Sequence, residues 1–391
     1  MAREPAYITP SVIKWARESA RMDLDTAAQK IGVKPDKIEL WERGEALPTI
    51  KQAREMSRVY RRVLSVFYLP EPPEDFQTLR DFRKSDQQEA FSTKLTFILR
   101  EVQTRQEWLR EFLMEEEEEP LSFIGRFSSG DDTTTVANDI KQTLGIDDDL
   151  HQTNRLKYWI QKAEEQRIFI SLASNFHSRM VFDVDEFRGF ALCDDMAPVI
   201  LINTQDSPKA QLFTLVHELV HLWINESGVS REVLPEFREQ NADKLDPTEV
   251  FCNQVASTLL MPDEMMEEAF REATEIHLED IDDASKRLQV SSKAVLVWLR
   301  SNNKLGKADY TRFWQDITRR SEEWVKKQEK KKKEQSGHPD SNLLQLRKCG
   351  NSFTHIVLNG YKSGRLSGAE ASSLLDVKIE RFPKLEQHLQ V

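Results

Sequence analysis

The chain has 391 residues, 39% of them hydrophobic and 31% charged, with a formal net charge of −11; that length predicts two or three domains, and that balance a soluble globular protein. No apolar run reaches the eighteen or more residues of a membrane helix, which excludes a membrane-spanning role, and the acidic balance argues against nonspecific nucleic-acid binding by the molecule as a whole. Three scattered cysteines, Cys193, Cys252 and Cys349, fit neither a disulfide framework nor a C-x-x-C clamp, and no charged-then-apolar leader opens the sequence, so cytoplasmic residence is expected.

Charge is unevenly spread. Of 55 basic and 66 acidic residues, 13 and 9 fall within residues 1–62, which gives that segment a net +4. Thr9 and Pro10 read as the N-cap and first position of a helix over 11–22. A second helix covers about 25–31 and ends at Gly32, Lys34 and Pro35 open a third containing Ile38 and Trp41, and a fourth over 50–62 follows the turn from Gly44 to Thr49. This order, with Trp41-Glu-Arg-Gly44 and then Pro48-Thr49, resembles the helix-turn-helix of the Xre (Cro/C1-type) family. The resemblance implies DNA binding by the third helix in the major groove, with Lys34, Asp36, Lys37 and Glu39 nearest the bases. Asp36 and Glu39 would repel phosphates, although an acid can accept from cytosine N4; the other reading of such a bundle is protein docking. Trp41 is a core anchor under both. One helix-turn-helix grips a single half-site, so DNA binding implies a homodimer.

Pro70, Pro72 and Pro73 mark the exit from this first domain. Phe91, Leu95, Ile98, Val102, Leu109 and Leu113 then recur at helical spacing and predict a long connecting helix, after which the acidic run Glu115 to Glu119 reads as a solvated linker ending at Pro120. Beyond it, helices over 132–144 and 154–166 alternate with strands over 167–172, 189–192 and 199–202. That pattern predicts a small sheet, one edge strand of which can pair with an extended substrate segment. His177 lies in a polar loop and reads as a surface residue, its alternative role being oxyanion donor.

His217-Glu-Leu-Val-His221 forms an H-E-x-x-H sequence inside an apolar run, Leu212 to Val216 before it and Leu222 to Ile224 after it. On a helix, positions i and i+4 project from one face, so both imidazoles can reach one Zn²⁺ with Glu218 beside the remaining coordination position. The alternative, a core helix carrying these groups for packing alone, leaves three desolvated polar side chains without a ligand. A second apolar helix begins at Glu249 and is stopped by Pro262. Glu249 shares a face with Asn253, which suits a metal-binding carboxylate and an amide that orients a ligating imidazole. Glu226, Glu232, Glu236, Glu239, Asp243 and Asp246 lie in a polar stretch broken by Gly228 and Pro235 and read as solvated loop residues.

These blocks resemble the ImmA/IrrE metallopeptidases, marked by H-E-x-x-H, then E-x-x-A-N-x-x-A and L-L-M-P. The second block stands here as Glu249-Val-Phe-Cys-Asn253-Gln-Val-Ala256, with Cys252 in place of the usual Ala, followed by Leu259-Leu-Met-Pro262. The resemblance covers about residues 155–265; Asp81-Phe-Arg83 is similar to a stretch that follows the helix-turn-helix in fused members, where Arg83 reads as a structural salt-bridge partner. It implies a zinc-dependent endopeptidase, with His217, His221 and Glu249 holding Zn²⁺ and Glu218 as general base. Its protein substrate would be a repressor or antitoxin in a bacterial or phage stress or regulatory circuit. The expected fold is α+β and predominantly helical: a helix-turn-helix domain over 1–70, a connector over 71–120, and a zincin-like peptidase domain with a helical extension over 121–325. A charged linker over 326–341 and a small helical unit over 342–391 complete it. Residues 281–299 have the shape of another helix-turn-helix and read as packing for the peptidase domain. The competing functional class is a DNA-binding regulator or antitoxin in which the peptidase fold senses a ligand or holds a partner without turnover.

Overall fold

The computed structural model describes residues 4–73, 80–81, 92–147, 152–173, 182, 186–230, 246–271, 273, 275–334 and 340–389. Arg83, His177, Glu232, Glu236, Glu239 and Asp243 lie outside the described residues. The chain divides into two compact units, Met1–Thr78 with Gln87–Arg105, and Leu79–Asp86 with Gln106–Val391.

The first unit is helical. It contains α1 (Pro10–Ser19), α2 (Leu24–Ile31), α3 (Pro35–Glu42) and α4 (Ile50–Tyr60). Local chemistry sets these boundaries. The Asp23 carboxylate accepts from the Thr26 amide at 2.6 Å to cap α2, Gly32 ends it in the left-handed region at φ 78°, and Thr49 and Gln52 cap α4 reciprocally. Thr9 occupies the N-cap position of α1 but gives no side-chain cap; its hydroxyl donates instead to the Leu69 carbonyl at 2.6 Å. The Arg17 guanidinium forks onto Glu42 at 2.7 and 2.9 Å and ties α1 to the end of α3. Ile13, Ile38, Trp41, Met56 and Tyr60 are buried in the core. Trp41→Ala is therefore expected to destabilise this unit by about 3–5 kcal/mol. Circular dichroism on heating the full chain would show an early helical transition, and an unchanged melt would contradict the placement.

The second unit carries a five-stranded sheet in the order β1-β5-β3-β4-β2. Its strands are β1 (Arg80–Asp81), β2 (Phe169–Ala173), β3 (Gly189–Leu192), β4 (Val199–Asn203) and β5 (Gly228–Ser230). β2 runs parallel to β4 and β1 to β5, whereas β3 is antiparallel to both neighbours. β3 is thus interior, and β1 and β2 form the edges of the sheet. β2 starts at residue 169 rather than 167 because Arg167, at φ 59°, turns the chain out of the preceding helix.

Around the sheet lie α5 (Thr93–Glu115), whose second half belongs to this unit, α6 (Thr133–Leu144), α7 (Arg155–Glu165), α8 (Pro208–Trp223), α9 (Pro247–Leu260) and α10 (Asp263–Ala269). Then come α11 (Leu278–Arg287), α12 (Ser292–Ser301) and α13 (Lys307–Glu334), followed by α14 (Ser341–Cys349), α15 (Asn351–Lys362), α16 (Gly368–Leu375) and α17 (Phe382–Leu389). Every residue from Gln211 to Trp223 is buried, which explains why α8 is apolar all round instead of amphipathic. Ile281, Leu288, Val290, Val295 and Leu299 of the α11–α12 pair join the same core as α8 and α9. At the junction of α14 and α15, Gly350 sits at φ 84°, and a Cβ there would lie 2.4 Å from the Ile170 carbonyl oxygen. α14 and α15 therefore pack directly on β2. No helix among the described residues is long and apolar enough to cross a membrane.

Candidate metal centre

α8 starts on a Ser207 cap, whose hydroxyl accepts from the Ala210 amide, with Pro208 at its first position; α9 starts on Asp246, with Pro247 next. Asp246 departs from its sequence reading as a solvated loop residue. It is buried and accepts from the Thr248 amide at 2.9 Å, because the first amides of a buried helix need an acceptor that water cannot supply.

The two helices pack against each other and bring three groups together. His217 Nε2 and His221 Nε2 lie 3.1 Å apart, Glu249 Oε1 is 3.1 Å from His221 Nε2, and Glu249 Oε2 is 3.3 Å from His217 Nε2. All three residues are buried, and they form the one metal-competent group of His, Cys, Asp or Glu among the described residues. Four tetrahedral ligands at about 2.0–2.1 Å from an ion stand about 3.3 Å from one another, so this spacing fits a metal ion between them. The charges fit as well. Glu218 is fully buried one position after His217, so two carboxylates share an interior with two imidazoles, an arrangement that a cation stabilises.

Electrostatics within the cluster follow from this crowding. Burial alone would raise the Glu249 carboxyl, but His217 and His221 beside it bring it down to about 2. Burial alone would lower the His217 imidazole, yet the Glu249 and Glu218 carboxylates and the Asn253 hydrogen bond raise it. The Asn253 Oδ1 stands 3.1 Å from His217 Nδ1; with the proton on Nδ1 donated to that oxygen, Nε2 is left with its lone pair toward the cluster. Burial pushes the Cys193 thiol up to about 12 and the Cys252 thiol well above its ordinary value. Both remain thiols, so the donor set is two nitrogens and one carboxylate oxygen.

Two participants near the site escaped sequence reasoning. Gly189 opens β3 directly against Glu218, and Cys193 stands 3.4 Å from the His221 carbonyl through its Sγ. A glycine inside a strand pattern was the available signal for the first, since it marks close approach; none existed for the second.

In the first unit, Lys34 is the N-cap residue of α3, and Lys34, Asp36 and Lys37 are exposed. Glu39 is half-buried and paired with the exposed Arg43 one turn on, so a basic residue outside the predicted set shares this surface.

Residues 163–300 match the family model described as the IrrE N-terminal-like domain, Peptidase_M78. That segment runs from the end of α7 through β2 to β5, α8 and α9 to the end of α12, and contains all three converging residues together with Glu218 and Asn253. It is similar to a family of metal-dependent peptidases, and the buried His-His-Glu group is compatible with that chemistry. No curated protein matches the chain.

Proposed function

We propose that this chain is a zinc-dependent endopeptidase that cuts a partner protein, a repressor or antitoxin, and that its N-terminal unit binds DNA as a homodimer. The reading is carried by the convergence of His217, His221 and Glu249 within 3.1–3.3 Å, with Glu218 buried beside them. Two imidazoles and a carboxylate are a donor set of catalytic zinc, which keeps a fourth position open. When bound, Zn²⁺ supplies Lewis acidity, polarising a carbonyl and lowering the pKa of water to about 7.

The protein's own groups do the rest. Glu218 takes the proton of the attacking water and passes it to the leaving amine nitrogen, the role of a positioned carboxylate in acid–base catalysis. Asn253 fixes the His217 tautomer and ring plane through Nδ1. Burial of α8 on every side holds these groups in place before substrate arrives, so little reorganisation is required during the reaction. A full-length Glu218→Gln form used as bait should retain an uncut partner that wild-type protein releases as fragments. Bait that retains only proteins which the wild type leaves intact would argue for a binding module.

For DNA, the supporting observations are the net +4 charge of residues 1–62 and the exposure of Lys34, Lys37 and Arg43 around α3. Lys37→Ala should weaken duplex binding and reduce the slope of log affinity against log salt by about 1. Fluorescence anisotropy of the full chain on genomic duplexes at several salt concentrations checks this. Absence of binding at low salt would leave the unit as a docking domain.

A further inference from the structure

We propose that Gly189 is a positioning residue for Glu218: its missing side chain is the space that fixes where the Glu218 carboxylate stands. This rests on the reading of Glu218 as the proton acceptor. A Cβ at Gly189 would lie 2.6 Å from Thr214 Cγ2, 3.0 Å from Glu218 Oε1 and 3.2 Å from Glu218 Cγ. Thr214 and Glu218 are i and i+4 on α8, so one face of the helix presents both to the same point of β3.

The glycine is not required by the backbone, because Gly189 is absent from the positive-φ residues. A glycine in a strand interior weakens the strand, so its place here reflects close approach. Neither element can step back to admit a methyl group. Gly189 is paired with Ile202 of β4 on one side and Ser230 of β5 on the other. The two residues before it are held by Asn203, whose amide donates to the Arg188 carbonyl at 2.8 Å and whose Nδ2 donates to the Phe187 carbonyl at 3.1 Å. On the helix side, Leu215, Val216 and Leu219 are fully buried in the core. The side chains are therefore the parts that must give: Thr214 Cγ2, at 2.6 Å, has to shift outright, and Glu218, at 3.0 and 3.2 Å, has to yield by a few tenths of an ångström.

The test uses the full-length chain and two readouts, thermal unfolding of the metal-free protein and the visible absorption of the Co²⁺-loaded protein against pH. Gly189→Ala should lower the unfolding temperature by roughly 3–8 °C, the range for overpacking in a domain of this size. Adding Thr214→Ser removes the nearest carbon but keeps the hydroxyl that donates to the Ala210 carbonyl at 3.0 Å, so most of the thermal loss should be recovered. The absorption midpoint should remain displaced by about one pH unit in both variants, toward that of Glu218→Gln. A midpoint that returns to the wild-type value in the double variant would overturn the proposal, since Gly189 would then serve Thr214 alone. In the metal-free protein, Glu218→Ala should shrink the thermal penalty of Gly189→Ala; independent, additive losses would also overturn it without touching the role of Glu218. A Glu218→Gln profile identical to wild type would instead overturn the proton-acceptor reading, and the positioning role with it.

Discussion

Replacing Glu218 with glutamine is expected to leave metal content and fold in place while reducing turnover by about 10²–10⁴-fold, the contribution of a positioned acid–base group. The amide has nearly the volume of the carboxylate, so the close contact with Gly189 survives. Glu218 is not one of the three converging ligands, and its loss leaves His217, His221 and Glu249 to hold the ion. What disappears is the ability to accept a proton. Single-turnover assays on the captured partner, run beside metal analysis, separate these effects. Undiminished cleavage by Glu218→Gln with full metal would remove Glu218 from the mechanism.

His217→Ala or His221→Ala is expected to abolish stoichiometric metal binding, where wild type carries about one Zn²⁺ per chain. Each change takes one of three donors from a cluster whose members stand 3.1–3.3 Å apart, and leaves the buried Glu249 carboxylate with one imidazole partner where it had two. Asn253→Ala should weaken metal affinity by about 10–100-fold, the usual effect of removing the group that orients a ligating imidazole. Acid should act in the same direction. Because its neighbours raise His217 above the ordinary imidazole range despite burial, protons compete with the metal from a higher pH than at an isolated histidine. Glu249, held down to about 2, stays ionised throughout that window. Metal affinity should therefore be constant above the raised His217 value and weaken progressively as pH falls below it. Full zinc in either histidine variant, measured by atomic emission after gel filtration, would contradict the assignment.

The converging His217, His221 and Glu249 were legible because much of their geometry is encoded locally. Helical spacing alone puts His217 and His221 on one face, and Glu249 and Asn253 declare a shared face one turn apart on a second apolar helix. Their meeting depends on α8 packing against α9, which no local pattern encodes. β5 and β1 were illegible for another reason: strands of three and two residues are too short to carry an alternation, and they form because β3 offers β5 a backbone to pair with and β5 in turn offers one to β1. Asp246 was misread because a polar residue in a polar stretch looks solvated until the buried helix that it caps is known. Gly189 carries no residue-level sign of which side chain it spares, since that depends on how closely β3 approaches α8.

Metal-dependent peptide-bond cleavage is read out by intact-mass spectrometry of the captured partner. Incubation with the zinc-loaded full-length chain should give two fragments whose masses sum to that of the partner plus one water. Chelation should stop the reaction, Zn²⁺ should restore it, and Glu218→Gln should give none. A partner that stays intact with the zinc-loaded wild type, or is cut equally by Glu218→Gln or in the presence of chelator, would contradict the account.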